Sequence, residues 1–127
     1  KTIINAPLRK NQLSSGERIV KVDATGKASV THFEIIQRFD EATLMDVTLE
    51  TGRTHQIRVH CQFSDAPIAG DQKYGDKLFN DNLKTKGNSR LFLHARYLKF
   101  RHPLSGDFVE INAPLPKDLS VLLEKLG

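Results

Sequence analysis

Two strand-like segments separated by a very short link constrain the fold of this chain more than any other feature. Residues 30–38 are rich in β-branched and aromatic side chains, and in residues 43–50 apolar and polar side chains alternate. Both patterns are typical of β-strands. The link around Asp40 and Glu41 leaves room only for a tight turn, so the two segments predict an antiparallel hairpin.

Further short segments extend this hairpin into a domain rich in strands. A strand is predicted at residues 18–22, inside a polar loop that covers residues 9–29. Apolar side chains at every second position of residues 91–97 predict another strand. A turn at residues 102–107 then leads into a return strand at residues 108–112.

The remaining segments predict a loop and a C-terminal helix. Residues 75–90 are polar and contain two glycines, which is typical of a long surface loop. Four leucines near the C-terminus have the spacing of one helix face: Leu119, Leu122, Leu123 and Leu126. Together the segments predict a single domain of the α+β class, with a mainly antiparallel or mixed β-sheet, flanking helices and no second domain.

Composition narrows the classes of protein to consider. No apolar run approaches the roughly 20 residues of a membrane span, so no membrane partner is expected. The single cysteine, Cys61, rules out an internal disulfide and suits a reducing compartment, which predicts a cytoplasmic protein. A net charge of +4 favours a nucleic-acid partner through attraction to phosphate.

The segment from Thr51 to His60 carries the densest group of functional side chains. Its members are Arg53, His55, Gln56, Arg58 and His60. Arginine can grip a phosphate in a bidentate fork, or hold a carboxylate in its ionised form. The alternative is a solvated basic helix face. Alternating apolar residues favour a strand here, whereas Gly52 and a helix N-cap at Thr54 favour a helix.

Two other kinds of site are weaker interpretations of the same region. The spacing of His55, His60 and Cys61 fits no usual zinc pattern, so no metal is expected. A thiol nucleophile at Cys61 is less favoured than a small core residue packed beside Ile57.

Several motifs in order along the chain carry a family resemblance. They are Gly26-Lys-Ala-Ser-Val-Thr31, Thr51-Gly-Arg-Thr-His-Gln-Ile-Arg-Val-His60, Pro67-Ile-Ala-Gly-Asp71, Tyr74-Gly75, Leu91-Phe-Leu-His-Ala95 and His102-Pro103. Together they resemble the RluA-type pseudouridine synthases, within them most closely the group that acts on large-subunit ribosomal RNA. The resemblance covers nearly the whole chain and identifies residues 1–127 as the C-terminal half of such a catalytic domain. It also implies that the Thr51–His60 segment starts a helix.

The resemblance implies a reaction and roles for individual residues. These enzymes convert uridine in RNA to pseudouridine without cofactor or metal, acting on a base flipped out of the RNA. A catalytic aspartate pairs with an arginine, which by the match of Gln-Ile-Arg is Arg58. The expected RNA-binding residues are Arg53, Thr54, His55, Gln56, His60 and Tyr74. For Tyr74, packing under the neighbouring loop is the alternative.

The family's aspartate, in a His-Arg-Leu-Asp motif, and its stacking tyrosine lie upstream of the part that this chain resembles. Asp40 echoes that motif, but it lacks the preceding histidine, lies only 13 positions before Arg53, and sits in a predicted turn. The chain begins at Lys1, and its one methionine is Met45, which predicts either that a tag or leader was removed or that this is a piece of a longer protein. The family resemblance favours the second. We therefore expect residues 1–127 to be inactive alone. The alternative function is a non-catalytic RNA-binding module.

Overall fold

A computed structural model describes residues 2–101 and 103–127, so the His102 part of the His102-Pro103 motif lies outside the described residues. The strands are β1 (Thr2–Asn5), β2 (Leu8–Gln12), β3 (Arg18–Val22), β4 (Val30–Arg38), β5 (Thr43–Leu49), β6 (Tyr97–Arg101) and β7 (Phe108–Asn112). The helices are α1 (Gln56–Phe63), α2 (Lys77–Lys84) and α3 (Lys117–Leu126). The predicted α+β class is confirmed.

The predicted hairpin forms the larger sheet. β4 and β5 pair antiparallel, and β1 pairs antiparallel along the other edge of β4 in the order β1-β4-β5. The turn between β4 and β5 is closed by a backbone hydrogen bond from Phe39 N–H to the Ala42 carbonyl. Asp40 lies exposed in this turn, as its interpretation as a turn residue predicts.

A second hairpin shows that residues 9–29 are more ordered than the sequence predicts. β2 pairs antiparallel with β3 along its full length, and β3 matches the predicted strand. β2 escapes prediction because only Leu8 of its five residues is buried and the rest are polar. Its strand conformation therefore comes from pairing with β3 rather than from its own side-chain pattern.

The core joins this second hairpin to α1. Leu8, Val20, Val59 and Tyr74 form one buried cluster, and α1 packs against β3 and β4. Burial of these side chains stabilises the orientation of α1 relative to both hairpins. The start of α1 is thereby held where strands and helix meet.

Two predictions between residues 75 and 97 are wrong. The predicted loop at 75–90 contains α2, because the Asp76 carboxylate accepts a hydrogen bond from Phe79 N–H and caps the helix, and Leu83 is fully buried. The predicted strand at 91–97 has no ladder before Tyr97, where β6 begins. Residue Phe92 instead donates its N–H to the Ala69 carbonyl, which ties this stretch to a loop.

The C-terminal half otherwise follows the sequence pattern. The return strand is β7, which pairs antiparallel with β6. The predicted leucine helix is α3, which begins after Pro116 and buries Leu119 and Leu122. Over the described part of the chain, no helix has both the length and the apolar character that crossing a membrane requires.

Candidate functional site

The Thr51–His60 segment is a turn followed by the first helical turns of α1. The helix starts at Gln56, so the predicted helix start is confirmed, but Thr54 is not the N-cap. His55 occupies that position with φ 53° and ψ 22°, and no side chain caps the helix. A left-handed conformation at a residue other than glycine costs on the order of 1 kcal/mol, and such residues concentrate at functional sites.

Gln56 fastens this turn to the sheet. Its Oε1 accepts hydrogen bonds from the Thr51 hydroxyl and from Arg53 N–H, at 2.8 and 3.0 Å. Its Nε2 donates to the Val30 carbonyl and to the Thr31 hydroxyl, at 3.0 and 2.9 Å. All four hydrogen-bonding positions of this buried amide are therefore used inside the protein.

His60 lies one turn further along the same face of α1 and is fully buried. Its Nε2 donates to the Ala6 carbonyl at 2.9 Å, and its Nδ1 lies 2.8 Å from the Thr31 hydroxyl. Since a carbonyl only accepts, Nε2 carries a proton. The histidine thus links α1 to the start of the chain and to β4.

Arg58 points away from these contacts and forms a bidentate ion pair with Asp71. Its Nε lies 2.9 Å from one carboxylate oxygen and its Nη2 lies 2.8 Å from the other. The Asp71 side chain is fully buried, whereas 21% of the Arg58 side chain is exposed. Such a fork fixes the plane of the guanidinium as well as its position.

Asp71 is a deeply held carboxylate. Burial would raise its pKa, but hydrogen bonds from Arg58 and from the N–H groups of Tyr74 and Lys73 outweigh burial and lower the pKa below its ordinary value. The hydrogen bond to Asp71 in turn raises the pKa of Arg58. Both groups are therefore charged at neutral pH.

Tyr74 connects the two sides of the site. Its hydroxyl accepts a hydrogen bond from Val20 N–H at 3.0 Å and lies 2.9 Å from His55 Nδ1. The Tyr74 hydroxyl therefore joins β3 to the residue that precedes α1. The Arg58 guanidinium carbon lies 5.1 Å from the centre of the Tyr74 ring, within range of a cation–π contact.

The environment of His55 favours its neutral form. Partial burial, together with the positive charges of Arg58 and Lys73, lowers its pKa, and the Asp71 charge opposes this only in part. At neutral pH the ring is therefore neutral rather than a cation.

The predicted site residues divide into an exposed group and a buried group. Arg53 and Thr54 are exposed, and His55 is half-buried. Gln56, His60 and Tyr74 are buried, and the contacts described above lie inside the protein. In this arrangement the three buried side chains do not face solvent, so direct RNA contact by them is not favoured.

Asp71 is a residue of this cluster that the sequence did not single out. It ends the Pro67–Asp71 motif, and no feature of that motif points to Arg58, 13 positions earlier. The one available signal is a carboxylate that follows a glycine in an otherwise apolar stretch. The pairing of Arg58 with a catalytic aspartate upstream of this chain stays a prediction.

A groove with a basic lining lies beside the exposed group. Arg53 and Thr54 line it, β2 contributes Arg9 and Lys10, and the segment between β3 and β4 contributes Lys27. Its lining contains no carboxylate among the residues that the structure describes. Arg53 is held by a hydrogen bond from its Nε to the Ala28 carbonyl at 3.1 Å. Such a surface attracts a polyanion.

The weaker sites find less support in the geometry. Burial raises the pKa of the Cys61 thiol to about 11, which keeps it protonated at neutral pH and unsuited to nucleophilic attack. Within residues 2–101 and 103–127, no three histidine, cysteine or carboxylate side chains are grouped as metal ligands.

Comparison with known proteins finds a family model and curated relatives that match this chain. A family model described as RNA pseudouridylate synthase matches residues 1–63, which include β1 to α1. Ribosomal large subunit pseudouridine synthase C of Pasteurella multocida is 51% identical over 124 residues, covering 98% of this chain and 38% of that protein. The protein of the same name from Escherichia coli K12 is 50% identical over 125 residues, covering 97% of this chain and 39% of that protein.

Solved structures show the same fold. Human RNA Pseudouridylate Synthase Domain Containing 1 superposes with a TM-score of 0.71 at 23% identity, over 98% of this chain and 58% of that one. Human RNA Pseudouridylate Synthase Domain Containing 4 superposes with the same TM-score at 24% identity, over 98% of this chain and 56% of that one. The chain spans about two fifths of the length of the curated relatives it matches.

Proposed function

We propose, since the chain belongs to the RNA pseudouridylate synthase family, that it forms part of an enzyme that isomerises uridine in RNA to pseudouridine. The observation that carries the proposal is Arg58, a half-buried guanidinium at the start of α1 whose plane is fixed by Asp71. A fixed cation of this kind suits the binding of a second carboxylate, or of negative charge that develops on a substrate.

The proposed substrate is large-subunit ribosomal RNA. Support comes from relatives about 50% identical to this chain that are named ribosomal large subunit pseudouridine synthase C. The proposal therefore places the protein in the cytoplasm, with the ribosomal RNA that it modifies.

In the proposed reaction, the bond between N1 of uracil and C1′ of the ribose breaks, the base turns, and C5 joins C1′. The hydrogen on C5 leaves as a proton and N1 takes one up, so no electrons are gained or lost. An aspartate outside this chain acts on the substrate. Arg58 holds that aspartate ionised in a pocket that would otherwise favour the protonated acid.

We assign RNA contact to the exposed part of the Thr51–His60 segment. Arg53 and Thr54 line the basic groove, where phosphate groups of the RNA backbone would meet Arg9, Lys10 and Lys27. His55, whose lowered pKa favours the neutral imidazole, offers a neutral hydrogen-bonding group. We assign Gln56, His60 and Tyr74 to holding these residues in place rather than to direct contact.

The test compares residues 1–127 with the same chain preceded by its natural upstream segment. Release of tritium from C5-labelled uridine in large-subunit ribosomal RNA measures the reaction. We expect turnover by the extended protein and none by residues 1–127, because the proposal places the catalytic aspartate upstream. Turnover by residues 1–127 alone would contradict the proposal and return Asp40 to consideration, with Asp40→Asn as the deciding variant.

The basic groove also supports a second candidate, a non-catalytic RNA-binding module. This candidate predicts that the extended protein binds ribosomal RNA and never releases tritium. It also predicts that Arg58→Ala changes neither property, because the Arg58–Asp71 pair lies outside the residues that line the groove. An extended protein whose tritium release disappears in Arg58→Ala excludes the module.

A further inference from the structure

The Arg58–Asp71 pair uses only one edge of the guanidinium. An arginine side chain carries five N–H groups, one on Nε and two on each Nη nitrogen. Asp71 occupies the Nε–Nη2 edge. Nη1 makes no hydrogen bond with any residue in the described ranges 2–101 and 103–127, so the edge between Nη1 and Nη2 is open to a second acceptor.

Asp71 itself has almost no freedom to move. One of its carboxylate oxygens accepts hydrogen bonds from the backbone N–H groups of Lys73 and Tyr74, both at 3.0 Å. Its carbonyl accepts from the Asn80 side chain at 3.0 Å, while the same amide's oxygen accepts from Gly70 N–H at 2.8 Å. The aspartate is thus clamped through its side chain and its backbone.

The backbone around Asp71 is also closely packed. A Cβ added at Gly75 would lie 2.1 Å from the Asp71 carbonyl oxygen, which no real side chain tolerates. At Gly70, with φ +78°, a Cβ would lie 1.9 Å from the Arg90 carbonyl oxygen. Glycine at positions 70 and 75 therefore allows close approach of the backbone at Arg90 and at Asp71, which restricts the position of the Asp71 carboxylate.

We infer that Asp71 is the positioning residue for Arg58, holding the Nε–Nη2 edge of its guanidinium so that the Nη1–Nη2 edge faces the catalytic aspartate and the flipped uridine. This inference rests on the proposed function, because it gives Arg58 the role proposed above. Asp71 touches neither substrate nor reacting atoms in this scheme, and it acts only through Arg58. Arg58 is then bridged between two carboxylates, one on each edge.

The physical need for such a residue follows from the arginine side chain. It has several rotatable bonds, and without a fixed partner a half-exposed guanidinium samples many orientations. The contact of Arg58 with the Tyr74 ring restrains its distance from that ring but is less directional than a two-bond fork. Displacement of a catalytic group by about 1 Å can reduce turnover by about 100-fold.

The test uses the extended protein and the variant Asp71→Asn, which keeps the size of the side chain and one acceptor but removes the charge and the fork. The matched control is Asp65→Asn, which makes the same chemical change at an exposed residue of the preceding loop. We expect kcat of Asp71→Asn to fall about 100-fold with KM changed less than about threefold, and Asp65→Asn to retain both constants. An Asp71→Asn protein with the kcat of wild type overturns the inference.

A double-mutant cycle distinguishes a positioning role of Asp71, exerted through Arg58, from a purely structural role of Asp71 in the fold. Thermal unfolding midpoints are measured for all variants, and single-turnover rates are taken about 10 °C below the lowest midpoint so that every protein is folded. If Asp71 acts through Arg58, adding Asp71→Asn to Arg58→Lys lowers the residual rate by less than about threefold. A further 100-fold loss in that background would show that Asp71 acts independently of Arg58 and would overturn the inference.

If Asp71→Asn does not fold, Asp71→Glu decides the matter. It retains the charge but moves the carboxylate by one methylene, so we expect kcat to fall at least about tenfold with RNA affinity unchanged. Wild-type kcat in that variant overturns the inference. Failure of the proposed function is a different result, since the wild-type extended protein would then form no pseudouridine at all.

Discussion

Replacing Gln56 by glutamate tests whether the site is held together in the way that the contacts indicate. The substitution changes one NH₂ group to an oxygen, so Nε2 no longer donates to the Val30 carbonyl and the Thr31 hydroxyl. Two acceptors then face a buried carboxylate oxygen. The two hydrogen bonds that Gln56 Oε1 accepts, from Thr51 and Arg53, are retained, so the change is confined to the donor side.

The magnitude follows from the two lost donors. A buried acceptor left without a partner costs about 1–3 kcal/mol. The Val30 carbonyl still accepts from Glu50 N–H at 3.2 Å, and the Thr31 hydroxyl still bonds to His60, so neither group is fully orphaned. We therefore expect a loss of about 3 kcal/mol for the pair, including the cost of the buried charge.

The assay is urea unfolding of residues 1–127 monitored by circular dichroism, and the control variant is Gln62→Glu. Gln62 lies on the same helix and is exposed, so the same chemical change should alter stability by less than about 0.5 kcal/mol. The difference between Gln56→Glu and wild type should shrink at pH 4, where the new carboxyl regains a proton to donate. Equal stability of the two variants at pH 7 would refute the interpretation that the hydrogen bonds of Gln56 stabilise the attachment of the turn to the sheet.

Three further measurements test separate parts of the structure. Because the pKa of His55 is lowered in the folded protein, the unfolded chain binds the proton more readily, and the free energy of unfolding should fall as pH drops below about 6.5, the ordinary histidine value. The variant His55→Asn, which tolerates the same backbone conformation, should remove this fall. A pH profile unchanged by the substitution would contradict this role of His55. Cys61 should resist alkylation at pH 8 until the chain is unfolded, since its thiol pKa is about 11, and rapid labelling of the native protein would disprove this. Asp76→Ala should destabilise α2 by about 1 kcal/mol in urea unfolding, because it removes the N-cap. The control is Asp107→Ala, at an exposed residue, and equal midpoints for the two variants would exclude that cap.

Sequence patterns predicted the elements whose side chains carry their own signal. β4 is rich in β-branched residues, and in α3 the buried Leu119 and Leu122 follow the helical spacing, so both were predictable. β2 is polar and becomes a strand only by pairing, which no local pattern records. α2 was missed because its exposed polar residues outnumber its buried ones, although Asp76 three positions before Phe79 is a recognisable cap.

The sequence points to Arg58 as a candidate site residue but gives no sign that Asp71 is its partner in the structure. The functional roles of both residues stay predictions. Pairing between residues 13 positions apart depends on the path of the intervening loop, which the sequence does not encode in any periodic form. The left-handed backbone at His55 likewise arises from the anchoring of Gln56 and Tyr74 around it.

Helix geometry explains why so many polar residues are adjacent in this segment while serving different purposes. Gln56 and His60 are four positions apart, which puts them on one face of α1, where both meet Thr31 of β4. Arg58 is two positions from each, about 200° around the helix, and so it faces Asp71 instead. As a strand, the segment would place Gln56, Arg58 and His60 on a single face. The α-helical start therefore separates Arg58 from Gln56 and His60, which anchor the segment to β4, and Arg58 is the one of these three side chains that reaches solvent.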